Sequence, residues 1–318
     1  MTKIVFLDRA TMGPSVELTR PQAPHDWDQH DRSSADDVVS RLAGAQVAIT
    51  NKVPITRAAL EQLPELKFVT VAATGYDVID LAACRDHGVT VSNVRGYAIN
   101  TVPEHTMALI LSLKRAIPGY RQAVLDGRWQ EENQFCFFDY PICDLAGANI
   151  GIIGEGVIGQ AVARLAQAFG MHPLFAAHKG VEGLGPLYTP FDQMLEQSDV
   201  ITCHAPLTPA TRDVLAMADF RKMKRRPIII NTARGGLVNE ADAVAALEEG
   251  LISGLGFDVL TTEPPSADNP IYQVAARPDV IITPHTAWAS DQAMAEVWRQ
   301  VVESIDAFLA GSPVRILN

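Results

Sequence analysis

Residues 151–170 read GIIGEGVIGQAVARLAQAFG, which predicts a strand, a glycine turn and a helix in succession. Gly154, Gly156 and Gly159 have the G-x-G-x-x-G spacing of a dinucleotide-binding turn. The first glycine permits the tight turn, the second lets a phosphate approach the backbone, and the third lets the helix pack closely on the strand. A glycine-rich connection in another α/β fold is the alternative. The apolar run before the turn and the helical stripe after it favour a Rossmann unit.

The composition limits the class of protein. The chain has 318 residues, enough for two domains, and 47% hydrophobic with 20% charged residues is typical of a globular protein. The net charge of −11 disfavours nucleic acid and anionic membrane as partners, so we expect a small-molecule partner. The N-terminus lacks the features of a signal peptide, and no run approaches the roughly 20 apolar residues of a membrane span. We therefore expect a cytoplasmic protein.

Four cysteines are scattered along the chain without C-x-x-C spacing, which predicts reduced thiols rather than a disulfide framework or a zinc site. They are Cys84, Cys136, Cys143 and Cys203. No metal is expected.

Short apolar runs alternate with helical stretches through both halves of the chain, which predicts two doubly wound α/β domains with parallel sheets. Thr101 and Glu104 have capping-box spacing, so we predict a helix from about residue 102. The Rossmann domain is complete by Thr283, and a last amphipathic helix follows from about Asp291 to Leu309. This helix is expected to return to the first domain. The predicted domains are 1–100 plus 288–318, which is discontinuous and flavodoxin-like, and 101–287, the Rossmann domain.

Three loops that follow strands in the second half carry the reactive side chains. Arg234 precedes two glycines, and its planar guanidinium suits a small carboxylate, although an arginine that pairs with a helix end is an alternative. His285 follows Pro284 at a strand end. A carboxylate such as Glu263 beside the imidazole would orient it and favour its protonated form, which an acid at near-neutral pH needs. Asp258 supports the same charge or ties a turn.

The motifs together resemble the D-isomer-specific 2-hydroxyacid dehydrogenases, and most closely their glycerate dehydrogenase or hydroxypyruvate (glyoxylate) reductase type. The resemblance covers nearly the whole chain. It rests on GEGVIG at 154–159, HAPLT at 204–208, NTARGG at 231–236, GFDV at 256–259, Glu263-Pro264 and Pro284-His285. It implies hydride transfer between a nicotinamide cofactor and a small 2-keto or D-2-hydroxy acid such as hydroxypyruvate or glyoxylate.

The resemblance also implies roles for single residues. Arg234 would bind the substrate carboxylate and polarise the carbonyl, His285 would exchange the proton with the substrate oxygen, and Glu263 would hold and tune His285. Main-chain groups of four residues in the first domain would help to hold the substrate carboxylate: Lys52, Val53, Thr74 and Gly75. Beside the three glycines, the cofactor would be bordered by Thr101, Val157, Ile158, Pro206, Thr211, Ala233 and Asp258. The family resemblance and the aromatic passage at 127–143 predict a homodimer.

Two further predictions concern specificity. An NAD-preferring enzyme has an acidic residue about 20 positions beyond the glycines, where this chain has Ala177 followed by His178 and Lys179. We therefore predict that NADP(H) is accepted and favoured over NAD(H), with a merely solvated Lys179 as the alternative. Trp288 would wall the pocket and favour a small acid, and core packing explains it equally well.

Two other functions remain to be weighed. A non-catalytic NAD(H)-sensing protein could share the fold, but the set Arg234, Glu263 and His285 disfavours it. A formate or phosphoglycerate dehydrogenase of the same fold is the other alternative, and the chain shows no sizeable C-terminal extension of the regulatory type.

Overall fold

The computed structural model describes residues 1–318, which divide into two compact units. The first unit is Met1–Ala98 with Ala289–Asn318, and the second is Ile99–Trp288. Each unit is built on a parallel sheet, with five strands in the first and seven in the second. The predicted fold class, two α/β units with parallel sheets, is confirmed. No helix combines the length and the apolar character that a membrane span requires.

The first unit has the strand order β2-β1-β3-β4-β5. Its strands are β1 (Thr2–Phe6), β2 (His25–Gln29), β3 (Val47–Thr50), β4 (Phe68–Val71) and β5 (Thr90–Asn93). The helices between them are α1 (Val38–Leu42), α2 (Arg57–Leu60) and α3 (Leu81–Asp86). Every residue of β3 and β4 is buried because both faces of a parallel sheet are covered. The edge strand β2 is polar and lies partly exposed, which is why the hydrophobic pattern did not predict it.

The C-terminal helix, Asp291–Leu309, packs on the sheet of the first unit. Ser290 caps it, since its hydroxyl oxygen accepts from the Ala293 N–H at 3.2 Å. Trp298 stacks on Phe6 with ring centroids 5.4 Å apart, and Phe308 stacks on Phe68 at 4.5 Å. The apolar stripe read from the sequence is therefore the face that this helix buries.

The second unit has the strand order β12-β11-β10-β9-β6-β7-β8. Its strands are β6 (Asn149–Ile153), β7 (His172–Ala176), β8 (Tyr188–Thr189), β9 (Val200–Cys203), β10 (Ile228–Asn231), β11 (Gly254–Phe257) and β12 (Val280–Ile282). The first strand lies between the second and the fourth, as in a dinucleotide-binding Rossmann sheet. The order of the strands in the sheet changes direction at β6. Sheets of this type bind ligands in the crevice at such a point.

The helices of the second unit cover both faces of the sheet. They are α4 (Thr101–Lys114), α5 (Ile117–Leu125), α6 (Arg128–Glu132), α7 (Val157–Ala168), α8 (Phe191–Gln197), α9 (Met217–Phe220), α10 (Glu240–Glu248) and α11 (Pro270–Gln273). The predicted capping box at the start of α4 is wrong. Thr101 is the first helical residue, and its hydroxyl donates to the Ala287 carbonyl at 2.9 Å instead of capping the helix. A tertiary contact has replaced the local one.

Candidate active site

The glycine turn has the geometry that its spacing predicted. Gly154 has φ of 111°, and a Cβ there would lie 2.6 Å from the backbone of His204. A Cβ on Gly159 would lie 2.0 Å from the Gly154 carbonyl oxygen. Gly156 has no neighbouring atom within 4 Å of such a Cβ, and no side chain caps the helix α7 that begins after it. The open space and the uncapped helix N-terminus fit the phosphates of a dinucleotide.

The arginine loop follows β10 and is shaped by Asn231. The Asn231 side-chain amide donates to the Arg234 carbonyl at 2.8 Å, and its oxygen accepts from the Ala233 N–H at 3.2 Å. Gly235 lies so close to Leu260 that a Cβ would come within 2.0 Å of its carbonyl oxygen. The Arg234 guanidinium donates to the adjacent Ala233 carbonyl and forms no ion pair. The Ala233 carbonyl belongs to the same loop and not to a helix end, so the alternative of an arginine that pairs with a helix end is not observed.

His285 and Glu263 lie in direct contact. Nδ1 of His285 is 2.6 Å from Oε2 of Glu263, and the two side chains are 26% and 35% exposed. The other carboxylate oxygen of Glu263 accepts from the Leu260 N–H at 3.0 Å. Because both ends of this carboxylate are held, it fixes the orientation of the imidazole and leaves Nε2 as the nitrogen that can face a ligand.

Asp258 holds the loop that carries His285. Its Oδ1 accepts from the Thr286 N–H at 2.9 Å and from the Thr283 hydroxyl at 2.6 Å, and its Oδ2 accepts from the Ala287 N–H at 3.0 Å. The Asp258 carbonyl accepts from the His285 N–H at 2.8 Å. The sequence left open whether Asp258 supports the charge on His285 or ties a turn. The structure shows that Asp258 ties a turn.

Sequence reasoning missed two residues of α4 that contact these loops. His105 lies with Nε2 3.0 Å from the Thr283 hydroxyl and 3.7 Å from Oδ1 of Asp258. The buried Thr106 hydroxyl lies 2.9 Å from that of Thr232 in the arginine loop. A helical histidine or threonine carries no signal of a partner more than a hundred residues away, so neither contact could be read from the sequence.

Lys179, after the end of β7, fits neither of its two interpretations, a side chain that favours NADP(H) or a merely solvated one. Its Nζ lies 2.6 Å from the buried carboxylate of Asp219 and donates to the Val214 carbonyl at 3.1 Å. Ala177 is buried, whereas the side chain of His178 is 62% exposed and its Nε2 is 3.7 Å from Oε1 of Glu155. Lys179 therefore has a structural role, and His178 is the exposed basic side chain at this edge.

The remaining predicted cofactor contacts occupy the loops of the second unit. The Thr211 hydroxyl donates to the Pro206 carbonyl at 2.6 Å, which closes the turn after β9. Ala233 lies in the arginine loop, and Val157 and Ile158 begin α7. Trp288, the last residue of the second unit, is half-buried.

The predicted substrate-binding residues of the first unit follow β3 and β4. The N–H groups of Asn51 and Lys52 donate to the buried carboxylate of Asp8 at 2.9 and 2.6 Å, and the Val53 N–H donates to the Thr50 hydroxyl at 3.0 Å. Burial raises the pKa of Asp8, and the hydrogen bonds from this loop oppose the rise.

Beside this loop lies a cavity of about 410 Å³. Its lining includes Asp8, Thr11, Arg32, Ser33, Lys52 and Val53. The second predicted loop, which carries Gly75, is held separately. The Thr74 hydroxyl donates to the Val94 carbonyl at 3.0 Å, and the Thr74 carbonyl accepts from the Asn93 amide at 2.8 Å.

Comparison with known proteins places these loops in a family. The model of the D-isomer-specific 2-hydroxyacid dehydrogenase NAD-binding domain matches residues 107–287. The chain is 46% identical to a glycerate dehydrogenase of Methylorubrum extorquens and 38% identical to a hydroxypyruvate reductase of Blautia hydrogenotrophica, each alignment covering 99% of both chains. It also resembles the crystal structure of D-lactate dehydrogenase from Aquifex aeolicus complexed with NAD and lactic acid, with 28% identity, a TM-score of 0.79, and coverage of 97% and 96%.

The chain therefore belongs to the D-isomer-specific 2-hydroxyacid dehydrogenases. Within them it is similar to the glycerate dehydrogenase and hydroxypyruvate reductase type. The family predicted from the motifs is confirmed. So is the class of reaction, the transfer of a hydride between a nicotinamide cofactor and a 2-hydroxy acid.

Proposed function

We propose that this enzyme reduces a small 2-keto acid, hydroxypyruvate or glyoxylate, to the D-2-hydroxy acid, with Arg234, Glu263 and His285 as its working groups. The observation that carries the proposal is the 2.6 Å contact between His285 Nδ1 and Glu263 Oε2. The second unit would bind the cofactor, and the first would bind the substrate. The proposed domains are 1–100 plus 288–318 for the substrate and 101–287 for the cofactor, and the compact units, which divide at Ala98 and Trp288, support them.

Each working group has a distinct task. The Arg234 guanidinium, which forms no ion pair within the chain, binds the substrate carboxylate in bidentate fashion. His285 holds a proton at Nε2 and gives it to the keto oxygen, while Glu263 keeps the ring in place through Nδ1. The nicotinamide, when bound, supplies the hydride that the keto carbon receives. The two cationic groups stabilise the negative charge that develops on the oxygen.

The cofactor would be seated on the glycine turn and the N-terminus of α7, where Gly156 leaves open space. NADP(H) is the cofactor that we propose to be favoured. The end of β7 carries no carboxylate at Ala177, and the exposed imidazole of His178 stands beside it. We do not include Lys179 among the proposed cofactor-binding residues, because it is paired with Asp219.

The small substrate would lie against the loops after β3 and β4. Because the Asn51 and Lys52 N–H groups already donate to Asp8, the proposed donors to the substrate carboxylate shift to the Lys52 side chain and the main chain at Thr74 and Gly75. Trp288, which is half-buried, is proposed as a wall that limits the substrate to a short side chain.

A homodimer formed through the aromatic passage is part of the proposal. This segment exposes large apolar side chains, which in a monomer would face water. They include Trp129 at 46%, Phe135 at 87%, Phe138 at 83% and Ile142 at 48% exposure. The proposed location is cytoplasmic, in agreement with four cysteines that are all free thiols.

The test is a substrate and cofactor matrix measured on the wild type and on His285→Ala. We expect wild-type reduction of hydroxypyruvate and glyoxylate, and a loss of roughly 10²- to 10⁴-fold in kcat/KM in the variant. The matched control is His172→Ala, which removes an exposed histidine at the amino edge of the same sheet. Light scattering should give the mass of a dimer for all three proteins.

Two results would overturn the proposal. Full activity of His285→Ala would show that His285 is not the proton donor. A wild type that binds NADH yet reduces none of the acids would favour a sensing protein instead.

A further inference from the structure

We propose that Glu155, the residue between the first two glycines of the turn, determines cofactor specificity at the 2′ position together with His178. This inference rests on the proposed dinucleotide seat. Strand β7 has no carboxylate at Ala177, but Glu155 of the glycine turn places one at the neighbouring strand end, where it opposes the proposed preference for NADP(H) that His178 supports.

The sheet topology brings Glu155 to that place. Strands β6 and β7 are parallel neighbours, so their carboxyl ends share one edge of the sheet. Glu155 follows the end of β6 and His178 follows the end of β7. Oε1 of Glu155 lies 3.7 Å from Nε2 of His178, which places a carboxylate and an imidazole side by side.

A third side chain, Tyr188 of β8, lies beside this pair. The ring of Tyr188 meets that of His178 edge-on, with centroids 6.3 Å apart. Desolvation raises the pKa of Tyr188, and the charge of Glu155 and a hydrogen bond with it raise this pKa further. Glu155 therefore lies close to side chains that follow β7 and begin β8. A cavity of about 470 Å³ adjoins them and is lined in part by Ala177, Tyr188 and Phe191.

This edge is where a Rossmann sheet meets the adenosine ribose of its cofactor. A carboxylate there accepts hydrogen bonds from the ribose hydroxyls of NAD(H) and repels the 2′-phosphate of NADP(H). An imidazolium attracts the same phosphate. Glu155 and His178 thus act in opposite directions, and their contact lets each offset the other.

The size of the effect follows from exposure. The two side chains are 62% and 37% exposed, for His178 and Glu155 respectively, so solvent and salt weaken their action on a bound phosphate. A change of about fivefold to tenfold in cofactor preference is the scale expected for one exposed charge.

The experiment compares kcat/KM for NADPH with kcat/KM for NADH, using saturating hydroxypyruvate. Glu155→Gln should raise the NADPH-to-NADH ratio about tenfold, and His178→Gln should lower it several-fold. The double variant should return towards the wild-type ratio. High ionic strength should shrink all these differences.

The matched control is Glu196→Gln, which removes an exposed carboxylate from another ion pair, with Lys224, and should leave the ratio unchanged. A Glu155→Gln ratio within about twofold of wild type would overturn the inference.

Direct titration of NADPH and NADH by fluorescence separates this inference from the proposed function. If the wild type reduced no acid, the proposed function would fail. The ratio of the two dissociation constants in the same variants would still decide the role of Glu155.

Discussion

Asp8 in the first unit and Asp258 in the second are buried carboxylates that do similar work. Each follows a strand, β1 or β11, and each accepts hydrogen bonds from N–H groups in the loop after the neighbouring strand. Asp8 is 4% exposed and Asp258 is 2% exposed. Burial of an unpaired charge is costly, so the hydrogen bonds from the loop are what make each position tolerable.

The two carboxylates differ in what they hold. Asp8 accepts from the main chain of Asn51 and Lys52, and burial raises its pKa. Asp258 accepts from two N–H groups and from the Thr283 hydroxyl, and its own carbonyl accepts from the His285 N–H. One carboxylate therefore shapes a loop of the first unit, whereas the other ties the residues on either side of the proposed proton donor, Thr283, Thr286 and Ala287.

The largest effect is expected from Asp258→Ala. It leaves the N–H groups of Thr286 and Ala287 and the Thr283 hydroxyl without their acceptor, which should lower the free energy of unfolding by about 3 kcal/mol. Displacement of His285 should also reduce kcat by roughly 10²-fold. Urea unfolding and steady-state kinetics measure the two losses. Thr283→Val, which removes only the hydroxyl, is the milder control, and an unchanged kcat in Asp258→Ala would contradict the distinction between the two carboxylates.

A smaller effect with a different kinetic signature is expected from Asp8→Ala. Two N–H groups lose their acceptor, which should cost about 2 kcal/mol of stability. Because the Asn51–Val53 loop then loosens, KM for the keto acid should rise by about tenfold while KM for the cofactor stays constant. Asp31→Ala, at the rim of the same cavity, serves as the control. A rise in the cofactor KM instead would show that the two loops do not have separate tasks.

The sequence predicted what depends on local pattern. Glycine spacing, apolar periodicity and the residues of the three loops were enough to indicate the Rossmann unit, the family, and the candidates Arg234 and His285. Long-range pairings were beyond it. Asp8 meets a loop 43 residues away and Lys179 meets Asp219 40 residues away, so nothing near either residue announces its partner. The polar edge strand β2 was missed for a related reason, since it buries too little to show an apolar pattern.

The smallest expected effect is the pH dependence of the contribution that Asp8 makes to the free energy of unfolding. Its pKa in the folded protein is raised above the usual 3.8, so the unfolded chain loses this proton first as the pH rises. Stability present below pH 3.8 is then lost as the pH passes through the raised value. Glu296 has the opposite sign, because the hydrogen bond from Arg299 lowers its pKa from 4.5 to about 2, and its contribution is lost as the pH falls.

Subtraction isolates the Asp8 contribution. Wild type and Asp8→Asn both retain Glu296, so the difference between their free energies of unfolding cancels that residue. This difference, wild type minus Asp8→Asn, should fall as the pH rises from 3.8 through the raised pKa of Asp8. The same subtraction with Glu296→Gln should slope the other way, and equal slopes for both pairs would show that burial does not dominate at Asp8.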